Sequence, residues 1–140
     1  MKKYLVGLFA IVLCLVLVTG CGSNSGTITC VSEARGADPS TVTYETYVVE
    51  NNEITEYTKY KVLKFSDEYL SKVSIDSIFE IYDKDTSYTT EKVDGKTLKT
   101  TYIAPRNLYS DMETDNMIET IRASFEDNDF LMEKYTCEIK

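Results

Sequence analysis

The chain has 140 residues, 15 Lys+Arg against 23 Asp+Glu, no His and no Trp, and a formal net charge of −8. That length holds one domain and excludes a second independent core. With 43% hydrophobic and 27% charged residues the composition is globular rather than disordered, and without histidine the commonest general base and metal ligand is missing.

The N-terminus comes first in chain order. Lys2 and Lys3 precede an apolar run from Tyr4 to Val18, then Thr19, Gly20 and Cys21, the three-part layout of a secretory signal peptide. The run is shorter than the about 20 residues of a spanning helix, and an uncleaved anchor is the alternative to a signal peptide. Val18-Thr19-Gly20-Cys21 resembles the bacterial lipobox, with Val18 where Leu is usual. The resemblance implies cleavage after Gly20, so that residues 1–20 are the signal peptide, and a diacylglyceryl group on the Cys21 sulfur. Two acyl chains give stable anchoring without spanning. The expected location is therefore extracytoplasmic, lipid-anchored to the outer face of the cytoplasmic membrane. Residues 1–20 contain two Lys and no acid, so the mature chain is more acidic still and repels polyanions; nucleic acid is not an expected partner. Residues 21–26 are the lipidated cysteine followed by small polar residues, a short flexible tether, and residues 27–140 form a single folded domain.

Of the four cysteines, Cys14 leaves with the signal peptide and Cys21 is lipidated. Cys30 and Cys137 remain, and outside the cytoplasm such a pair is more often bridged than free. Neither has a CxxC partner, a basic cluster or a histidine to lower its pKa, as a redox or catalytic thiol would need.

Within the domain, residues 27–33 read as a strand ended by Ala34-Arg35-Gly36-Ala37-Asp38-Pro39-Ser40, which is turn chemistry. Residues 41–49 and 54–65 are rich in Thr, Val and Tyr, and Asn51-Asn52 between them tolerates the positive φ of a tight hairpin turn. A two-residue loop there sets Val49 opposite Ile54, Tyr47 opposite Glu56 and Thr43 opposite Tyr60. Neither face of this hairpin alternates cleanly, which signals either a bulge near Glu56 or a half-covered sheet.

Ser66-Asp67-Glu68 opens a helix that runs to Asp83, with Val73-Ser74-Ile75 a place where it could kink or restart. Residues 85–93 and 96–104 flank Asp94-Gly95, a strong hairpin signal. Ser110-Asp111-Met112-Glu113 reads as a capping box before the stripe Met117, Ile118, Ile121, Phe125. Residues 130–139 close the chain as a strand beside the first. The expected fold is α+β, a mainly antiparallel sheet in the order β-β-β-α-β-β-α-β with two helices on one face. Lipobox, polar tether, hairpin, helix, second hairpin and helix, with Thr-Cys pairs at 29–30 and 136–137, together resemble the YehR-like lipoproteins; that group has no catalytic motif to transfer.

For function, three acidic clusters stand out: Asp83-Lys84-Asp85; Asp111, Glu113 and Asp115; and Glu126-Asp127-Asn128-Asp129. None is an EF-hand loop, because the sixth position is Tyr88, Asn116 or Met132 rather than Gly. Helix ends and solvated surface explain them, and no metal site or cofactor is expected. No G-x-S-x-G or S-x-x-K occurs, so no catalytic residue is assigned. Of the 11 tyrosines, Tyr44, Tyr47, Tyr57 and Tyr60 share one hairpin. They are either ordinary half-buried packing or a candidate binding surface for a protein, peptide or glycan. The sequence thus favours a non-catalytic binding or accessory module, with a structural or protective envelope protein without a ligand as the alternative.

Overall fold

The computed structural model describes residues 24–34, 36–105, 107–127 and 133–140. The elements are β1 (Gly26–Ala34), β2 (Ser40–Glu50), β3 (Glu53–Lys64), α1 (Asp67–Leu70), α2 (Ile75–Asp83), β4 (Tyr88–Asp94), β5 (Thr97–Tyr102), α3 (Met117–Glu126) and β6 (Glu133–Ile139). The six strands form one antiparallel sheet in the order β4-β5-β3-β2-β1-β6. The signal-like segment and Cys21 lie outside the described residues, as do Phe130, Leu131 and Met132 of the expected last strand. No helix among the described residues is long and apolar enough to cross a membrane.

The turn between β2 and β3 forms as its asparagines require, with φ 52° at Asn51 and 67° at Asn52, values that Asn accepts at low cost. One step into the hairpin the register shifts. Val49 opposes Ile54 but Val48 opposes Glu56, leaving Thr55 as the extra residue of a bulge. A one-residue slip exchanges the faces of every later position. Tyr47 therefore opposes Tyr57 rather than Glu56, Thr43 opposes Lys61 rather than Tyr60, and Tyr44 opposes Tyr60.

The helix expected over 66–83 is two helices. Ser66 Oγ accepts from the Tyr69 amide at 3.1 Å, and Ser74 Oγ accepts from the Ser77 amide at 3.2 Å. A serine cap at Ser74 competes with helical continuation, so the chain turns and restarts. The described residues hence contain three helices where two were expected. The capping box at Ser110 is not used either. Asn107 Oδ1 accepts from the Tyr109 amide at 2.9 Å, which folds the segment into turns, and α3 starts after Asn116, whose Oδ1 accepts from the Glu119 amide at 3.2 Å. Asn52 reaches across from the hairpin turn. Its Oδ1 accepts from the Met117 amide at 2.6 Å, and its amide nitrogen donates to the Thr114 carbonyl, so the turn itself satisfies one of the orphan donors at the start of α3.

Residues directly opposed in antiparallel strands share a face, and the register places both cores on the same one. Ile28, Cys30, Tyr47 and Val49 pack with Met117, Ile118 and Ile121 of α3. Leu63, Phe65 and Leu98 pack with Ile78 of α2, joined by half-buried Phe79 and Tyr82. No described helix packs on the other face, which carries Thr29, Val31, Thr46, Tyr44, Tyr60 and Val62. At the far edge Cys30 opposes Cys137, and the two sulfurs are bonded at 2.01 Å across 107 residues of chain.

Candidate functional site

The tyrosine-rich hairpin does not present one aromatic surface. Its four rings form two stacks on opposite faces, because the bulge aligns like with like. Tyr44 and Tyr60 stack on the uncovered face with centroids 4.6 Å apart, and the Lys99 amine lies 5.2 Å from the Tyr60 ring. Tyr47 and Tyr57 stack beneath α3 at 4.5 Å, with Tyr109 meeting Tyr47 edge-on at 5.7 Å.

Between the two cores the helix-bearing face turns polar. Cys30 opposes Glu45, Glu45 opposes Lys59, and Tyr102 opposes Tyr88. One step along, Ser32 opposes Thr43, Thr43 opposes Lys61, and Lys61 opposes Thr100. Two lysines and a glutamate thus stand mid-sheet where an uninterrupted core would place aliphatic residues. Two hollows open over this band, one on its α3 side at Glu45 and one on its α2 side at Lys61, and together they are the groove described below.

On the α3 side the groove centres on Glu45. Its Oε1 pairs with Lys59 Nζ at 2.6 Å, and the two side chains are 13% and 27% exposed. Its Oε2 accepts from Tyr47 Oη at 2.8 Å and from Tyr57 Oη at 2.6 Å. Burial by itself pushes the Glu45 carboxyl up. The hydrogen bonds from Lys59, Tyr57 and Tyr47, with the charge on Lys59, outweigh it and hold Glu45 below the usual carboxylate range. Burial first, then the neighbouring carboxylate, pushes the Tyr47 phenol far above its ordinary value. Burial and the hydrogen bond to Glu45 do the same at Tyr57. Both phenols remain neutral donors at any ordinary pH. The cavity above them is about 140 Å³ and is lined by Tyr109, Phe125 and Tyr135 among others; Tyr109 and Ser124 are hydroxyl-to-hydroxyl partners on its wall. With Lys59, Tyr47 and Tyr57 all aimed at Glu45, the carboxylate is satisfied from within the protein.

On the α2 side the groove widens to a hollow of about 360 Å³, walled by Thr41, Lys61, Tyr82, Tyr88, Thr100 and Tyr102, with Asp38 and Pro39 on its rim. The tyrosine rings run in series. Tyr82 and Tyr88 are 6.1 Å apart and Tyr88 and Tyr102 are 5.6 Å apart, all tilted. Burial raises the Tyr82 phenol, helped by Tyr69 and Tyr102, and burial with Asp85 raises Tyr88. The Lys59 and Lys61 amines each stand 5.8 Å from the Tyr102 ring centroid.

A third hollow, of about 460 Å³, lies beside the hairpin turn, where Asp111 and Glu113 join Glu53 and Met112. Among the described residues no group of three or more His, Cys, Asp or Glu could hold a metal ion. Asp83 and Asp85 are exposed at the end of α2, and Asp85 Oδ1 accepts from the Ser87 amide at 2.8 Å. Glu119 and Glu126 of α3 are both paired with Arg122.

Of the residues assigned from sequence, the Cys30–Cys137 bond is formed, Cys21 lies outside the described residues, and the four tyrosines divide between faces. Glu45, Lys59, Lys61, Tyr82, Tyr88 and Tyr102 were not assigned from sequence. Their signal was present as charged residues inside strands, Glu45 in TYETYVV and Lys59 and Lys61 in TKYKV, but it becomes a pairing only with the bulged register. No protein family, curated protein or solved structure matches this chain.

Proposed function

We propose that the protein is an extracytoplasmic lipoprotein, anchored through Cys21, whose domain is a non-catalytic binding or accessory module. The observation that carries the binding role is the groove. Charged and hydroxyl-bearing residues occupy the middle of the face that the helices otherwise cover with apolar side chains, at a cost to folding that a purely structural domain has no reason to bear. The anchor is supported by the layout of residues 2–21. The bonded Cys30–Cys137 pair fits an oxidising compartment. The absence of any histidine, and phenols raised rather than lowered around the Glu45 carboxylate, favour recognition over catalysis.

Two measurements test this. Intact mass spectrometry of membrane-extracted protein should show loss of residues 1–20, a diacylglyceryl adduct, and two alkylations only after reduction. An intact N-terminus refutes the anchor. A thermal-denaturation screen against saccharides, peptides and small organic ions should find a ligand that raises the melting temperature in proportion to the logarithm of its concentration. A panel with no such ligand favours the structural envelope role instead.

A further inference from the structure

We infer that the Lys61 side of the groove is a binding site for a small ligand bearing one carboxylate beside a ring, an aromatic acid or a sugar acid. The inference rests on the binding-module reading and deepens it. The two lysines of the groove are not equivalent. Lys59 is committed to Glu45 at 2.6 Å. Lys61 stands half-buried on the wall of the α2-side hollow and makes no ion pair or hydrogen bond among the described residues beyond its approach to Tyr102. A lysine held on a groove wall without an ion-pair partner is a donor of up to three hydrogen bonds awaiting an acceptor.

The remaining walls define the rest of the ligand. Tyr82, Tyr88 and Tyr102 line a 360 Å³ hollow, within the size range of small-molecule sites. Aromatic faces of this kind receive either another ring or the C–H face of a pyranose. Three tyrosines could also cage a cation, but the Lys61 ammonium on the same wall repels one. Asp38, the carboxylate on the rim, is already engaged, accepting from the Ser66 amide at 3.2 Å and from the Ser66 hydroxyl. A net charge of −8 penalises a dianion such as phosphate more than a monoanion, and a single ammonium offers one carboxylate its partner. The two ligand sources share this chemistry, and they separate by which ring the tyrosines prefer.

The test is an NMR titration of the full chain in a mild detergent with benzoate, glucuronate, their neutral counterparts benzyl alcohol and glucose, and choline. At least one carboxylate should bind with a dissociation constant on the order of 1 mM or tighter, shifting the Tyr82, Tyr88 and Tyr102 ring signals. Its neutral counterpart should bind about tenfold more weakly or worse. Lys61→Met should cause the same loss and Lys61→Arg should restore most of it, while Lys64→Met, an exposed lysine on the other face, should change nothing. Binding by benzoate alone identifies an aromatic acid, and by glucuronate alone a sugar acid. Equal binding of the neutral counterparts, equal loss in Lys64→Met, preference for choline, or no binding by either carboxylate overturns the inference. A carboxylate that instead shifts residues of the Glu45 cavity or the uncovered face overturns the placement yet leaves the binding-module reading standing, since that reading is tested by the thermal screen.

Discussion

Glu45→Gln isolates the ion pair at the centre of the groove. The glutamine oxygen can sit where Oε2 now accepts from Tyr47 at 2.8 Å and Tyr57 at 2.6 Å, so both phenols keep their acceptor. The glutamine NH2 then faces Lys59 Nζ across what is now a 2.6 Å pair, donor against donor. Removing one partner of a fully buried pair costs about 3–5 kcal/mol. Lys59 is 27% exposed and recovers part of its hydration, which reduces the expected loss to about 2 kcal/mol. In urea unfolding that is a midpoint lower by about 1 M. The loss should be pH-dependent. Glu45 is held below the usual carboxylate range, so its contribution is fully present above the unfolded glutamate value of about 4.3 and disappears as pH falls through the lower folded value. The variant and the parent should therefore converge in stability in strong acid. Lys59→Met in the Glu45→Gln background should cost less than Lys59→Met alone, with a coupling of at least about 1 kcal/mol. A Glu45→Gln protein within about 0.5 kcal/mol of the parent, a coupling indistinguishable from zero, or a gap that persists in acid would refute this account of the cluster.

Removing the disulfide with Cys30→Ser and Cys137→Ser frees a loop spanning a separation of 107 residues. Calorimetry should record a loss approaching about 4.7 kcal/mol, the chain-entropy upper figure. Ile121, fully buried on the sheet-facing side of α3, should on replacement by Ala cost about 2–5 kcal/mol, seen as a lower urea midpoint with an unchanged slope. Asn52→Ala removes both bonds to the start of α3 and puts Ala at a φ of 67°; Asn52→Gly removes only the bonds. Gly should be the milder change, and hydrogen exchange should show the first turn of α3 opening in both. Equal stability of the two would mean that backbone strain at this turn contributes nothing.

Much of the fold was legible along the chain because its signals are local. The strand segments rich in Thr, Val and Tyr, the Asn51-Asn52 and Asp94-Gly95 turns and the stripe of α3 all depend on neighbours a few residues apart. The bonded cysteine pair was inferred from compartment chemistry instead. What escaped was set by long-range or competing interactions. Thr55 carries no mark that makes it the bulged residue, yet it decides which tyrosines meet. Ser110 and Asn116 both offer helix caps, and the choice between them is made by Asn52, more than sixty positions earlier. The groove was invisible for the same reason. Lys59, Glu45 and Tyr102 are brought together by three strands whose register no short window contains.

The first described residues of the chain are tied to one end of the sheet. The Asn24 carbonyl accepts from the Asn52 amide at 2.7 Å, and Ser25 Oγ accepts from the Asn51 amide at 2.8 Å. If Cys21 carries the lipid, only three residues, about 10 Å of extended chain, separate the bilayer from that turn. The hairpin tip is then the part of β2 and β3 held nearest the bilayer. From Val49 to Thr41 is about 26 Å along a strand, so the Lys61 hollow lies toward the opposite end of the hairpin from that turn. On the same condition, the Lys61 hollow sits at the end of the sheet farther from the lipid.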